Sequence, residues 1–189
     1  GVAFKFILAL AIKNRLKTTD VFNQYVDIAT LGTIADVVPL LGENRVIVDK
    51  GLKILHNPKR IGIRAIMEVA GVLDKPLNAS TIAFSIAPRL NAAGRLGSAA
   101  TAVELLLTND ESRARELALL LDTENKERQQ TERQIFDEAL ELIAKDPNFE
   151  KKKVIVLAQE NWHQGVIGIV ASRLCDMYYK PCILISHTN

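Results

Sequence analysis

Apolar residues recur along this chain in two rhythms, and the change falls after residue 147. Before it the spacing is helical. Ala3, Phe4, Ile7, Leu8 and Ala11 fall on one face of a helix predicted over 2–16. Thr18-Thr-Asp20 offers a cap for a long apolar helix over 21–38, which Gly32 is expected to interrupt and Pro39 to end. Residues 43–55 predict a helix with Val46, Ile47 and Leu55 inward, followed by a turn at His56-Asn-Pro58. Short helices follow over 63–70, closed by Gly71, over 80–86, stopped before Pro88, and over 98–107, with Ser98 as N-cap.

The stretch from Thr108 to Pro147 organises the rest. Thr108-Asn-Asp-Glu111 has the form of a capping box, and Lys145-Asp-Pro147 stops a helix. No Gly or Pro lies between, so the helix would reach roughly 50 Å at about 1.5 Å per residue. Leu117, Leu120 and Leu121 make an apolar stripe near its start, and Ile135, Ala139, Leu142 and Ile143 near its end. From Asp122 to Gln134 there is no apolar residue. A helix that is polar all round bridges solvent between two bodies, which predicts an interdomain strut docked at both ends. The plainer alternatives are a charged surface helix or a short coiled coil, and a coiled coil would need apolar a and d positions that the middle lacks.

After residue 147 the rhythm is that of an α/β unit. A short apolar strand over 153–158, a loop over 159–165, a helix over 166–178 and a second strand over 181–186 predict a βαβ unit with parallel strands. Two strands are too few for a finished domain. With Gly1 at the start and a strand-like run just before Asn189, the chain is expected to be a fragment cut at both ends. The fold class is therefore α/β, rich in helix.

Composition narrows the class. The chain is 48% hydrophobic and 24% charged, and its longest apolar start, 2–12, contains Lys5 and is shorter than the ~20 residues of a membrane span. It also lacks the basic leader and cleavage site of a signal peptide. Cys175 and Cys182 form neither a disulfide framework nor a zinc motif, which suits a reducing cytosol. Residues 1–109 carry 13 basic and 8 acidic side chains, 110–150 carry 6 and 12, and 151–189 carry 5 and 2. Two basic bodies joined by an acidic strut suit a polyanion lying between them, though ordinary solubility charge explains the numbers equally well.

Three stretches carry candidate chemistry. In Ala29-Thr-Leu-Gly-Thr-Ile-Ala-Asp-Val-Val-Pro39, Asp36 is a lone carboxylate in an apolar run. Such a charge is costly to bury unless it is paired, hydrogen-bonded or on a metal, and a cap or an arginine partner is the ordinary explanation. In Ala87-Pro-Arg-Leu-Asn-Ala-Ala-Gly-Arg95, two arginines and an asparagine stand among small residues, which suits phosphate or, equally, a connecting loop with structural ion pairs. In Trp162-His-Gln-Gly-Val-Ile-Gly-Ile-Val-Ala-Ser-Arg173, the loop opens a helix whose N-terminal N–H groups could face an anion. Gly165, Gly168 and Ser172 share a bare face there, near His163 and Arg173, and close helix packing through the glycines is the rival explanation.

Taken together, Thr30-Leu-Gly-Thr-Ile-Ala-Asp-Val-Val-Pro-Leu40, Pro88-Arg-Leu-Asn-Ala-Ala-Gly-Arg95 and His163-Gln-Gly-Val-Ile-Gly-Ile-Val-Ala-Ser-Arg173 resemble consecutive motifs of the RecJ family. These are single-strand-specific 5′→3′ DNA exonucleases of the DHH phosphoesterase superfamily. The resemblance implies that 1–109 is the later part of a DHH domain, 110–147 a connecting helix and 148–189 the start of a DHHA1 domain, with single-stranded DNA in the groove between. It implies phosphodiester hydrolysis with Mn2+ or Mg2+, in cytoplasmic DNA repair and recombination, beside a single-strand-binding protein or a helicase. Asp36 matches a metal-ligand aspartate. Arg89, Asn91 and Arg95 match the basic motif near the scissile phosphate, and His163, Gly165, Gly168, Ser172 and Arg173 the surface that holds the strand.

The Asp-His-His triplet that names the superfamily does not occur: the three histidines are His56, His163 and His187. This piece alone is therefore expected not to cleave. Two other readings stay open, a non-catalytic RecJ-like binding or scaffold protein and a DHH–DHHA1 phosphodiesterase of short oligonucleotides or cyclic dinucleotides.

Overall fold

The structure, a computed structural model, describes residues 1–187. Helix α1 (Val2–Lys13) leads into α2 (Thr18–Ala35) and α3 (Gly42–Leu55). Helix α2 passes through Gly32 without a break, where an added Cβ would meet nothing within 4 Å. Phe4, Val26 and Ile47 form a small core among these three helices. Val46, expected inward, is 52% exposed, while Ile47 and Leu55 are buried. Helix α4 (Ile61–Val69) is closed by Gly71, whose φ of 67° suits glycine.

The next segment departs from the sequence reading. Helix α5 (Ala79–Thr81) does not stop before Pro88 but continues through a π-turn (Ile82–Ile86) into α6 (Ala87–Leu96). The Ala87 N–H reaches back five residues to the Ile82 carbonyl, so the helix re-registers just before the proline that lacks a donor. Helix α7 (Ala99–Leu107) has Ser98 as its N-cap, as the sequence predicts, with the Ser98 hydroxyl accepting from the Ala100 N–H at 3.3 Å.

Helix α8 (Glu111–Ala144) is the long element. Its cap is Asp110, accepting from the Arg113 N–H at 3.0 Å, and not Thr108, which instead accepts from the Asp110 N–H. Ala114, Leu117, Ala118 and Leu121 enter the main core with Leu31, Ile63, Ile66, Ile82, Ile86 and Leu105. Ile135, Phe136, Ala139 and Ile143 enter a second core with Phe149, Ile155, Trp162, Val166, Val170 and Leu174. Docking at both ends agrees with the strut. A middle open to solvent all round does not: Asp122 and Asn125 are buried, and Arg128 and Glu132 pair at 2.6 Å with little exposure. One face of the polar stretch is covered, and at Asp122 it is held to α6 by Arg89.

The last segment is the expected unit, shifted by one or two residues: β1 (Ile155–Glu160), α9 (Gln164–Tyr178) and β2 (Cys182–His187). The strands are parallel, with Ile155 opposite Cys182 and Glu160 opposite His187. No helix among the described residues is long and apolar enough to cross a membrane.

Candidate nucleic-acid interface

Three stretches far apart in sequence meet at one cleft. Ala35 and Asp36 from the end of α2, Asn91, Gly94 and Arg95 from α6, and Gln164, Gly165 and Gly168 from α9 line a space of about 570 Å3. Helix α2 ends in a left-handed turn at Val37, with φ 53° and its N–H on the Ile34 carbonyl at 3.1 Å. Glycine is the usual occupant of such a turn, and a side chain there costs roughly 1–2 kcal/mol. The turn leaves Asp36 exposed at the cleft, with no ion pair among the described residues. An exposed carboxylate is solvated by water, so the cost of burial that singled out Asp36 in the sequence does not arise.

Helix α6 sorts its two arginines. Six residues apart on a helix, at about 100° per residue, Arg89 and Arg95 point to different sides. The Arg89 Nε donates to Asp122 Oδ1 at 2.8 Å, and its Nη1 to the Ser85 carbonyl. Lys126 Nζ takes the other Asp122 oxygen at 2.8 Å. Burial pushes the Asp122 carboxyl up, but the Lys126 hydrogen bond and the Arg89 charge outweigh it and hold it below the ordinary carboxylate value. Arg89 thus fastens α6 to α8 and is not brought to the cleft. Arg95 is exposed on the cleft side and donates from Nη1 to the Gly165 carbonyl at 3.1 Å.

Helix α9 enters the cleft through a pinned loop. Trp162 is buried and its Nε1 donates to Glu138 Oε2 of α8 at 2.7 Å. His163 is the N-cap, its Nδ1 accepting from the Gly165 N–H at 3.1 Å. The His163 carbonyl accepts from Val166 and Ile167. Three of the first N–H groups therefore have partners already, which leaves less of the anion seat that the sequence suggests. Ser172 is exposed one turn beyond Gly168. The Arg173 guanidinium lies over the Phe136 ring, 3.9 Å from its centroid, on α8.

The structure thus gathers Asp36, Asn91, Arg95, Gly165 and Gly168, and leaves Arg89, His163, Ser172 and Arg173 outside the cleft lining. Sequence reasoning missed Gly94 and Gln164, which stand inside the quoted motifs beside chosen residues, and the Trp162–Glu138 anchor, for which the sequence carries no signal. Among the described residues, Asp36 is the only carboxylate lining the cleft. No group of three or more His, Cys, Asp or Glu able to hold a metal occurs among the described residues. One carboxylate does not fit a pair of hard cations that each want about six oxygens.

RecJ of Haemophilus influenzae, a single-stranded-DNA-specific exonuclease, is 43% identical over 198 residues, covering 100% of this chain and 34% of that protein. RecJ of Bacillus subtilis is 41% identical over 185 residues, covering 98% of this chain and 22% of that protein. The crystal structure of Thermus thermophilus RecJ in complex with Mn2+ matches with a TM-score of 0.85 at 40% identity, over 98% of this chain and 27% of that one. Over nearly its whole length this chain is similar to part of RecJ. It spans between about a fifth and a third of the length of the two RecJ relatives. The Thermus RecJ complex with Mg2+ matches at the same TM-score. No family model matches the chain.

Proposed function

We propose that this chain supplies the strand-holding cleft of a RecJ-type 5′→3′ exonuclease that hydrolyses phosphodiester bonds of single-stranded DNA in cytoplasmic DNA repair and recombination. The observation that carries this reading is the meeting of the Asp36, Asn91–Arg95 and Gln164–Gly168 segments at one cleft. A polyanion suits the excess of basic over acidic side chains in 1–109, 13 against 8, and the cleft is lined by amides and glycines that let a backbone come close. Asn91 offers an amide donor to a phosphate oxygen, and Ser172 and Arg173 continue the basic and polar surface along α9. Asp36 is the one metal-ligand position assigned, for Mn2+ or Mg2+, and the remaining ligands belong to parts of the complete protein outside this chain. A single-strand-binding protein or a helicase is the fitting protein partner by family resemblance.

The chain by itself is accordingly inactive. Purified 1–189 is expected to leave end-labelled oligo(dT) intact in Mn2+, while the complete protein degrades it and a chelator stops the degradation. Chelator-sensitive degradation by 1–189 alone would refute this division of labour.

A further inference from the structure

We propose that Glu124 is a pH-sensitive wedge under the cleft wall: ionised, it pushes off the α6 turn that carries Arg95, and neutral, it lets that turn close on α8. Its consequence for strand affinity rests on the strand-holding reading above.

The last turn of α6 is held from two sides. On one side lies α9, at a joint where a Cβ on Gly165 would stand 2.2 Å from the Arg95 carbonyl oxygen. On the other lies α8, where a Cβ on Gly97 would stand 2.6 Å from Glu124 Oε1. Both approaches need a residue without a side chain. The Gly97 N–H already donates to the Ala93 carbonyl at 3.1 Å, so it gives nothing to the carboxyl pressed against the turn. The other carboxyl oxygen, Oε2, is sealed from water and has no hydrogen-bond partner among the described residues. A carboxylate so placed is unfavourable, because water is excluded and no donor replaces it. The neutral carboxyl is easier to seal. Moving the Gly97 turn outward re-admits water to the ionised form, and Arg95 moves with it.

The charged groups on the packed elements do not offset that burial. On α8, Glu127 repels Glu124, and Arg128 is bound to Glu132 and Asn125. Lys126 of α8 and Arg89 of α6 both hold Asp122. Arg95 of α6 donates to the Gly165 carbonyl. The one charged side chain of α7, Glu104, pairs with Arg113. His163, ahead of α9, caps that helix through Nδ1. Burial and the Glu127 charge raise the Glu124 carboxyl above its ordinary 4.5. The closed turn is therefore favoured below that value and loses ground as pH rises through the raised one.

The test uses the complete protein, unaltered and as Glu124→Gln, and reads hydrogen exchange of amides 97–101 corrected for its intrinsic pH dependence. At pH 8 the variant is expected to protect these amides about threefold better, less than the tenfold of one pKa unit because the carboxyl is still partly open to solvent. From pH 8 down to pH 4.5 the unaltered protein is expected to gain that protection while the variant stays level. Oligo(dT) is expected to bind the variant about threefold tighter at pH 8, in step with the closed turn. Glu127→Gln removes the same charge from an exposed site three residues on, and it is expected to change neither reading at pH 8. Equal protection in the unaltered protein and Glu124→Gln at pH 8 overturns the wedge. A pH profile that persists in Glu124→Gln belongs to another group, such as His163, and also overturns it. An equal gain from Glu127→Gln is net charge alone and does the same. Exchange that responds while affinity does not overturns the link to the cleft. If the unaltered protein does not bind oligo(dT), the strand-holding reading fails, and exchange alone decides the wedge.

Discussion

The two cores joined by α8 differ in how they are closed. The first is helical on every side, and Ile63, Ile66, Ile82, Ile86, Leu105 and Leu121 are fully buried in it. The second rests on one face of a two-stranded sheet. Ile155 on that face is buried, whereas Val156, Ile183 and Ile185 on the other are 53%, 53% and 44% exposed. Burial follows from having layers on both sides, and only the first core has them among the described residues. The second leans instead on α8, on the α6 joint and on the Trp162 anchor.

The largest effect that sharpens this contrast is expected in the closed core. Ile66→Ala should cost about 2–5 kcal/mol in urea unfolding, because a fully enclosed site collapses little around the cavity. The next is expected where α6 meets α8. Arg89→Ala should cost about 3 kcal/mol, the low end for breaking a buried pair, since Lys126 still faces Asp122. The Asp122 carboxyl titrates below its ordinary value of 3.8 in the folded chain. Its contribution is therefore present above that value and lost as pH falls through the lowered one, so the Arg89→Ala deficit should shrink in acid melts. A deficit that persists at low pH would show that packing, not the ion pair, holds the helices.

Glu124 works in the opposite direction. Its Oε2 is buried with no hydrogen-bond partner among the described residues, and burial, helped by the Glu127 charge, pushes its carboxyl above the ordinary 4.5. A raised carboxyl favours the neutral form, so its cost appears as pH rises past 4.5 and remains at neutrality. Glu124→Gln should stabilise the fold at pH 7 by less than about 1 kcal/mol after solvent screening, read as a raised melting temperature, and change nothing near pH 3. The smallest effect is expected on the bare sheet face: Ile183→Thr should stay within about 0.5 kcal/mol. A loss as large as that of Ile66→Ala would mean that the face is covered after all and the two cores are alike.

The helices and the βαβ unit were legible because apolar spacing at periods near 3.6 and 2 survives in a single sequence. The long helix was legible because nothing in it breaks one. Burial of its polar middle was not, since the partner of Asp122 is Arg89, 33 residues upstream, in a stretch that read as a loop. That error came from Pro88, which looked like a stop until the π-turn before it absorbed the missing donor. The sequence grouped Arg89 and Arg95 in one basic motif, and the helix turns them to different sides. The cap went to Asp110 over Thr108 because Asp110 immediately precedes the first helical residue, Glu111, and its carboxylate meets the Arg113 N–H. The cleft residues all lie in motifs the sequence displays, but spacing alone says nothing of their meeting. Only the family resemblance suggested it, and it did not foresee that His163 would spend its ring nitrogen capping α9.

The sheet has a further consequence for handling the molecule. Among the described residues, β1 and β2 each have a single neighbour, so each offers a row of unsatisfied amides and carbonyls along its outer border. Beside a greasy flank, such borders are templates for a third strand from another molecule. Pairing of that kind is bimolecular, so dilution is expected to keep a preparation of this segment monodisperse.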